Sequence, residues 1–110
     1  FGDVVNGNSG GDGASNATRG LFAGGSAGDI EFITIASTGN GTDFGDLSVS
    51  RNNIGATASF KIAVFSGGNS SAGDVIDFVT IATTGNATDY GDLTVSRLHA
   101  KACSNGHGGI

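Results

Sequence analysis

Oxygen-bearing side chains gather twice in this sequence, in the same order each time. Asn40, Thr42, Asp43 and Asp46 stand in T-G-N-G-T-D-F-G-D; Asn86, Thr88, Asp89 and Asp92 stand in T-G-N-A-T-D-Y-G-D, with Tyr90 among them. Carboxylate, amide and hydroxyl oxygens on a glycine-flanked loop are what Ca2+ takes, with about six to eight oxygens around it. The D-x-D-x-D-G spacing of a dedicated Ca2+ loop is absent. Asx side chains also close turns by accepting from their own backbone. Turn chemistry is the favoured reading, and no metal or other cofactor is expected. Loops of Asn, Asp and Gly also suit sugar hydroxyls, so these residues are the candidate binding positions, with Tyr90 their one aromatic platform.

Other chemistry has little to work with. His99 and His107 are the only histidines and Cys103 the only cysteine. No nucleophile, base and acid fall into a triad spacing, and no His/Cys cluster fits zinc. No lysine follows the glycine pairs, as a phosphate-binding loop requires. Cys103 is expected to be a small buried side chain, because free cysteine commonly is; a reactive thiol would need a base, and His99 is weak support. Glu31 and Asp77 match across the repeats and are expected at strand surfaces. Asn-x-Ser/Thr triplets at Asn16, Asn40, Asn69 and Asn86 would be glycosylated only on a eukaryotic secretory route. In a chain this rich in Asn, Ser and Thr they are read as chance. The chain is not expected to be an enzyme.

The elements that must position these residues are legible in the composition. Of 110 residues 21 are glycine and none is proline. Gly, Ser, Thr, Asn and Asp cluster between short apolar runs, which predicts many tight turns and an all-β chain. The net charge is −5 with five Lys and Arg, so no basic stripe exists to neutralise a nucleic-acid backbone or an anionic membrane surface. No apolar stretch approaches transmembrane length. A lone cysteine excludes an internal disulfide framework.

The two loops belong to a longer repeat. Phe32–Arg51 and Phe78–Arg97 are near-identical, and each follows an apolar strand ending in a double glycine, Gly24-Gly25 or Gly67-Gly68. Phe1-Gly2-Asp3 repeats Phe44-Gly45-Asp46, and Ser104–Ile110 parallels Ser15–Leu21. A fixed period of about 45 residues is the mark of a repeat architecture. The chain therefore reads as a single array over 1–110: a partial unit over 1–21 and units over about 22–66 and 67–110, its start and end out of phase with the blades. Each unit predicts four strands, in the second at about 53–59, 61–66, 74–82 and 90–96. In the third of these, Ile76 and Phe78 lie on one face and Val79 and Ile81 on the other, so both faces are expected to be covered. In the fourth, Leu93 and Val95 alternate with Asp92 and Thr94, predicting one wet face.

Gly24-Gly25, Phe32, Phe44 and Arg51, and again Gly67-Gly68, Phe78, Tyr90 and Arg97, resemble the kelch repeat of galactose-oxidase-type β-propellers. The final aromatic is Phe or Tyr where that family usually has Trp, and the two aromatics are twelve positions apart. The chain is also similar to glycine-rich, near-identical repeats of marine phage and metagenomic open reading frames. The resemblance implies a β-propeller of four-stranded antiparallel blades and a binding scaffold, in a virion or extracellular setting. The copper chemistry of galactose oxidase would need Tyr and His ligands on loops this chain lacks.

Propellers have about four to eight blades, and this chain holds two units and fragments. Its outer blade faces would lie in water at about 25 cal/mol per Å² of apolar surface. A homo-oligomer closing the ring is therefore expected. About six blades could be a trimer of two or a dimer of three, and the dimer is favoured because it uses every strand. The expected function is a non-enzymatic structural and recognition module, with other virion proteins as partners. The alternative is a multivalent lectin for surface glycans, in which avidity would multiply weak sites.

Overall fold

Asn16 and Ser59 occupy the same place in the two repeats and close the same turn. Asn16 Oδ1 accepts from the backbone N–H of Thr18 and Arg19, and Ser59 Oγ from those of Lys61 and Ile62. Each turn is clamped by a backbone bond, Asn16 N–H to Arg19 C=O and Ser59 N–H to Ile62 C=O. A short polar side chain satisfying the amides of a bend is the reason such residues punctuate strands.

The computed structural model describes residues 1–7, 9–25, 27–69 and 71–106, and among these there are strands and no helix. One antiparallel sheet is formed by β1 (Asp12–Ser15), β2 (Arg19–Ala23), β3 (Asp29–Thr34) and β4 (Thr42–Asp46) in sequence order. A second is formed in the same way by β5 (Gly55–Ala58), β6 (Ile62–Ser66), β7 (Val75–Thr80) and β8 (Thr88–Asp92). The expected all-β chain with four strands per repeat is thus found. The two sheets stand against one another and do not close into a ring within one chain.

The register sorts each sheet into two faces. In the first, Leu21 lies opposite Phe32 and Ala23 opposite Ile30, while Phe22 lies opposite Glu31 on the other face. In the second, Val64 lies opposite Phe78, and Phe65 opposite Asp77. The core is where the Leu21 face of the first sheet meets the Phe65 face of the second. Leu21, Ala23, Ile30, Phe44 and Leu47 form one buried cluster with Ile54, Ala63, Phe65, Val79 and Ile81. The expectation that both faces of the third strand are covered holds for Asp77, Val79 and Ile81, which are buried. Ile76 and Phe78, on the side away from the first sheet, are only half-buried.

The fourth strand differs from its expected span. It ends at Asp92 rather than continuing to Ser96, and it begins at Thr88, inside the segment expected to turn. A bulge explains the difference. Ile30 pairs with Gly45 and Glu31 with Asp43, so Phe44 is the extra residue; Ile76, Asp77 and Tyr90 repeat the pattern. Gly45 and Gly91, next to the bulged aromatics, have φ of 150° and 146°, conformations that favour glycine. Beyond the bulge the chain leaves its own sheet. Leu47 N–H still bonds Gly28 C=O, but Ser48 bonds a side chain of the second sheet. The apolar alternation of L-S-V and L-T-V therefore marks a crossover rather than a ladder.

Candidate functional site: the joint between repeats

Asn40 and Asn86 hold one repeat to another. Each sits in the hairpin between the third and fourth strands, which docks on the aromatic-Gly-Asp segment of the preceding repeat. Gly85 N–H donates to Phe44 C=O at 2.8 Å, Ala87 N–H to Asp46 C=O at 2.8 Å, and Asp46 N–H to Asn86 Oδ1 at 3.1 Å. One repeat earlier, Gly39 N–H donates to Phe1 C=O at 2.9 Å, Gly41 N–H to Asp3 C=O at 2.7 Å, and Asp3 N–H to Asn40 Oδ1 at 3.0 Å. The fit leaves no room at the central glycine. A Cβ on Gly45 would lie 2.3 Å from Gly85 O, and one on Gly2 would lie 2.0 Å from Gly39 O.

The second fastening is a buried acid on the third strand. Asp77 is fully buried and accepts from Ser48 N–H at 3.0 Å and Ser48 Oγ at 2.5 Å. Its Oδ2 also receives Arg51 Nη1 at 2.9 Å, an ion pair with both side chains out of solvent. Arg51 spends its remaining donors on carbonyls: Nε on Gly67, Nη2 on Phe65 and Nη1 on Val49. A guanidinium with its fork filled in this way is the form in which a buried cation is tolerated. Glu31, in the matching position, is 3% exposed and accepts from Val5 and Asn6 N–H at 2.7 and 2.9 Å. The surface position expected for Glu31 and Asp77 is therefore corrected. Both carboxylates are buried because the chain arriving from the previous repeat brings its amides to them.

The remaining candidate residues do not converge. Thr42 and Thr88 open β4 and β8 opposite Phe32 and Phe78. Asp43, Asp46, Asp89 and Asp92 are exposed, and Asp89 Oδ1 accepts from Gly91 N–H at 2.9 Å, which is turn chemistry. Asp43 and Asp46 do border a shallow cavity of about 220 Å³ with Asp29 and Glu31. The Glu31 oxygens there are taken by backbone amides, and Asp29 accepts from the Asn6 side-chain amide. Among the described residues no three His, Cys, Asp or Glu side chains are grouped to hold a metal ion. Tyr90 stacks edge-on against Phe78, centroids 6.0 Å apart, as Phe44 does on Phe32 at 5.9 Å. Their surroundings differ: Phe44 is 3% exposed and Tyr90 74%.

Cys103 is exposed, which corrects the expectation of a small buried side chain. It lies in the trailing segment that follows β8, where Gly55 stands against Ala100 and Ser104 Oγ donates to Ala58 C=O. His107 falls outside the described residues. The residues missed by sequence reasoning are Glu31 and Asp77 as fasteners and Arg51 as the cation of Asp77. A signal for them existed: an acid set inside the apolar runs D-I-E-F-I and V-I-D-F-V. No protein-family model matches the chain, and no curated protein matches it.

Proposed function

We propose that this chain is a non-enzymatic structural and recognition module, a β-propeller-type array whose blades are the four-stranded sheets and whose ring is completed by further copies. The observation that carries the reading is the use made of the repeated polar residues. Asn40, Asn86, Asp77 and Arg51 are all spent on holding one repeat to the next. A motif written twice to bind a substrate would leave its polar groups aimed at a common cavity. Here Asn40 and Asn86 are aimed at backbone amides, and Asp77 and Arg51 at one another. Face-to-face sheets with one wet end each are also what a blade needs, since its neighbours cover its faces.

A lectin is the second reading, and one observation favours it: the Tyr90 ring lies open beside Asp89 and Asp92. A glycan array separates the two, read together with electron-microscopic class averages of the particle. Closed rings silent across all glycans support the scaffold. Glycan binding abolished by Tyr90→Ala establishes the lectin instead, and particles without ring closure remove the propeller.

A further inference from the structure

The geometry points to a head-to-tail joint between two copies of this chain, in which Tyr90–Arg97 of one copy takes the place of Phe1–Asn6 on the first sheet of the next. The inference rests on the repeat-array reading and names the partner and the seat. The two outer faces are the halves of the joint already built inside the chain. The second sheet presents Val64, Ile76 and Tyr90, the counterparts of Leu21, Ile30 and Phe44, which the internal joint buries. The first sheet presents Phe22, 36% exposed, whose counterpart Phe65 is 0% exposed. Each open face thus matches, residue for residue, one that is buried against the other kind.

The polar fasteners are paired in the same way. Among the described residues no hairpin covers Tyr90-Gly91-Asp92, and a Cβ on Gly91 would meet nothing within 4 Å. Its equivalents at Gly2 and Gly45 are both covered by a hairpin glycine. The Arg97 side chain is exposed and has no partner among the described residues, whereas its counterpart Arg51 is buried on Asp77. The counterpart of Asp77 is Glu31, a buried carboxylate without a cation, held by amides of residues 5 and 6. The residue that matches Arg51 and Arg97 in the leading partial unit is Asn8.

Phe1–Asn6 is exposed along its length, and its bonds to the hairpin are the ones replaced. Tyr90 and Asp92 carbonyls take the Gly39 and Gly41 amides, Asp92 N–H takes Asn40 Oδ1, and Arg97 reaches Glu31. The exchange sets Tyr90 in the place of Phe1 and adds the ion pair and two apolar faces. It is a strand swap with a heterologous interface, which closes into a ring when the rotation per copy permits.

Sedimentation velocity on the full chain over a concentration series tests the joint, with Arg97→Glu and Gly2→Ala beside it. The expected result is concentration-dependent association, weakened about tenfold or more by Arg97→Glu, which sets two acids together at a buried site. The Arg97→Glu monomer keeps its melting curve, because Arg97 is exposed there. Gly2→Ala drives its Cβ into Gly39 O, loosens the leading segment, and shifts the population to larger species at equal concentration. Association indifferent to both substitutions overturns this joint and leaves the scaffold reading standing. A folded monomer at every concentration, in all three proteins, overturns the joint and ring closure by copies together.

Discussion

Arg51 and Arg97 are the same residue of the same motif in two environments, and the difference isolates what the buried pair does. Removing Arg51 leaves Asp77 with Ser48 alone and frees the carbonyls of Gly67 and Phe65. A buried charge stripped of its partner costs about 3 kcal/mol or more. Arg51→Ala is therefore expected to lower unfolding free energy by about 3 kcal/mol, and Arg97→Ala by less than about 0.5 kcal/mol in the monomer, as read by urea titration. Equal losses would show that Arg51 acts only through its aliphatic stem. Sequence made the recurrence of this arginine visible but not its partner. Glu31 and Asp77 looked like surface acids because a strand alternates in and out, and alternation carries no information about what arrives from another repeat. Cys103 was misread for a related reason: its type favours burial, but its segment lies on an end of the stack.

At the scale of the element, the bulge at Phe44 and Tyr90 decides how one repeat hands over to the next. The extra residue turns the aromatic onto the face that meets the following sheet, and the glycine after it admits the hairpin. Gly45→Ala and Gly91→Ala carry similar backbone strain, since φ is 150° at one and 146° at the other. Only Gly45 has a carbonyl 2.3 Å from the added carbon. Gly45→Ala is thus expected to destabilise the monomer by about 2 kcal/mol more than Gly91→Ala, the usual scale for overpacking. Thermal melts at low concentration measure the difference, and parity would mean that the hairpin yields. The strands themselves were largely legible: apolar runs between Asn, Ser and Gly placed β5 to β7 to within a few residues. The fourth was not, because T-V-S-R continues the alternation of a strand after the backbone has left the ladder. Of the candidate loop residues only Asn40 and Asn86 precede the fourth strand, the others lying in Thr42–Asp46 and Thr88–Asp92; what Asn40 and Asn86 bond could not be read, since an Asx side chain serves a local turn or a distant amide equally well.

For the whole molecule, stability is divided unevenly. One interface is complete, between the Leu21 and Phe65 faces, and two half-interfaces stand open at the ends. An array of this kind gains stability by adding neighbours, because each new contact is a nearest-neighbour term. The melting midpoint is accordingly expected to rise with protein concentration, as for any folded state drained by association. Scanning calorimetry at two concentrations a hundredfold apart checks this, and a constant midpoint would mean that the ends stay bare. The repeat was plain in the sequence. How the sheets face one another was not, because the same apolar pattern suits either order of faces.

The turns at Gly10, Asn53 and His99 share one conformation, with φ of 71°, 58° and 53°, and are strung together: Asn53 N–H bonds Gly10 C=O, and His99 N–H bonds Asn53 C=O. The repeats linking these turns differ in length by three residues, yet the string is unbroken. The surplus is absorbed between the second and third strands, where Gly24 N–H bonds Asp29 C=O in one repeat but Gly67 N–H bonds Val75 C=O in the other. The ends of that loop stay tied to the crossovers, Asn69 N–H to Asn52 C=O and Arg97 N–H to Gly73 C=O, while its length varies between them; there lineage or engineer can write new sequence while the frame is inherited unchanged. Eight Gly/Ser residues inserted after Ser71 should move the midpoint by only a few degrees, on the shallow logarithmic scale of loop-closure entropy. The same insertion between Asp92 and Arg97 should abolish association.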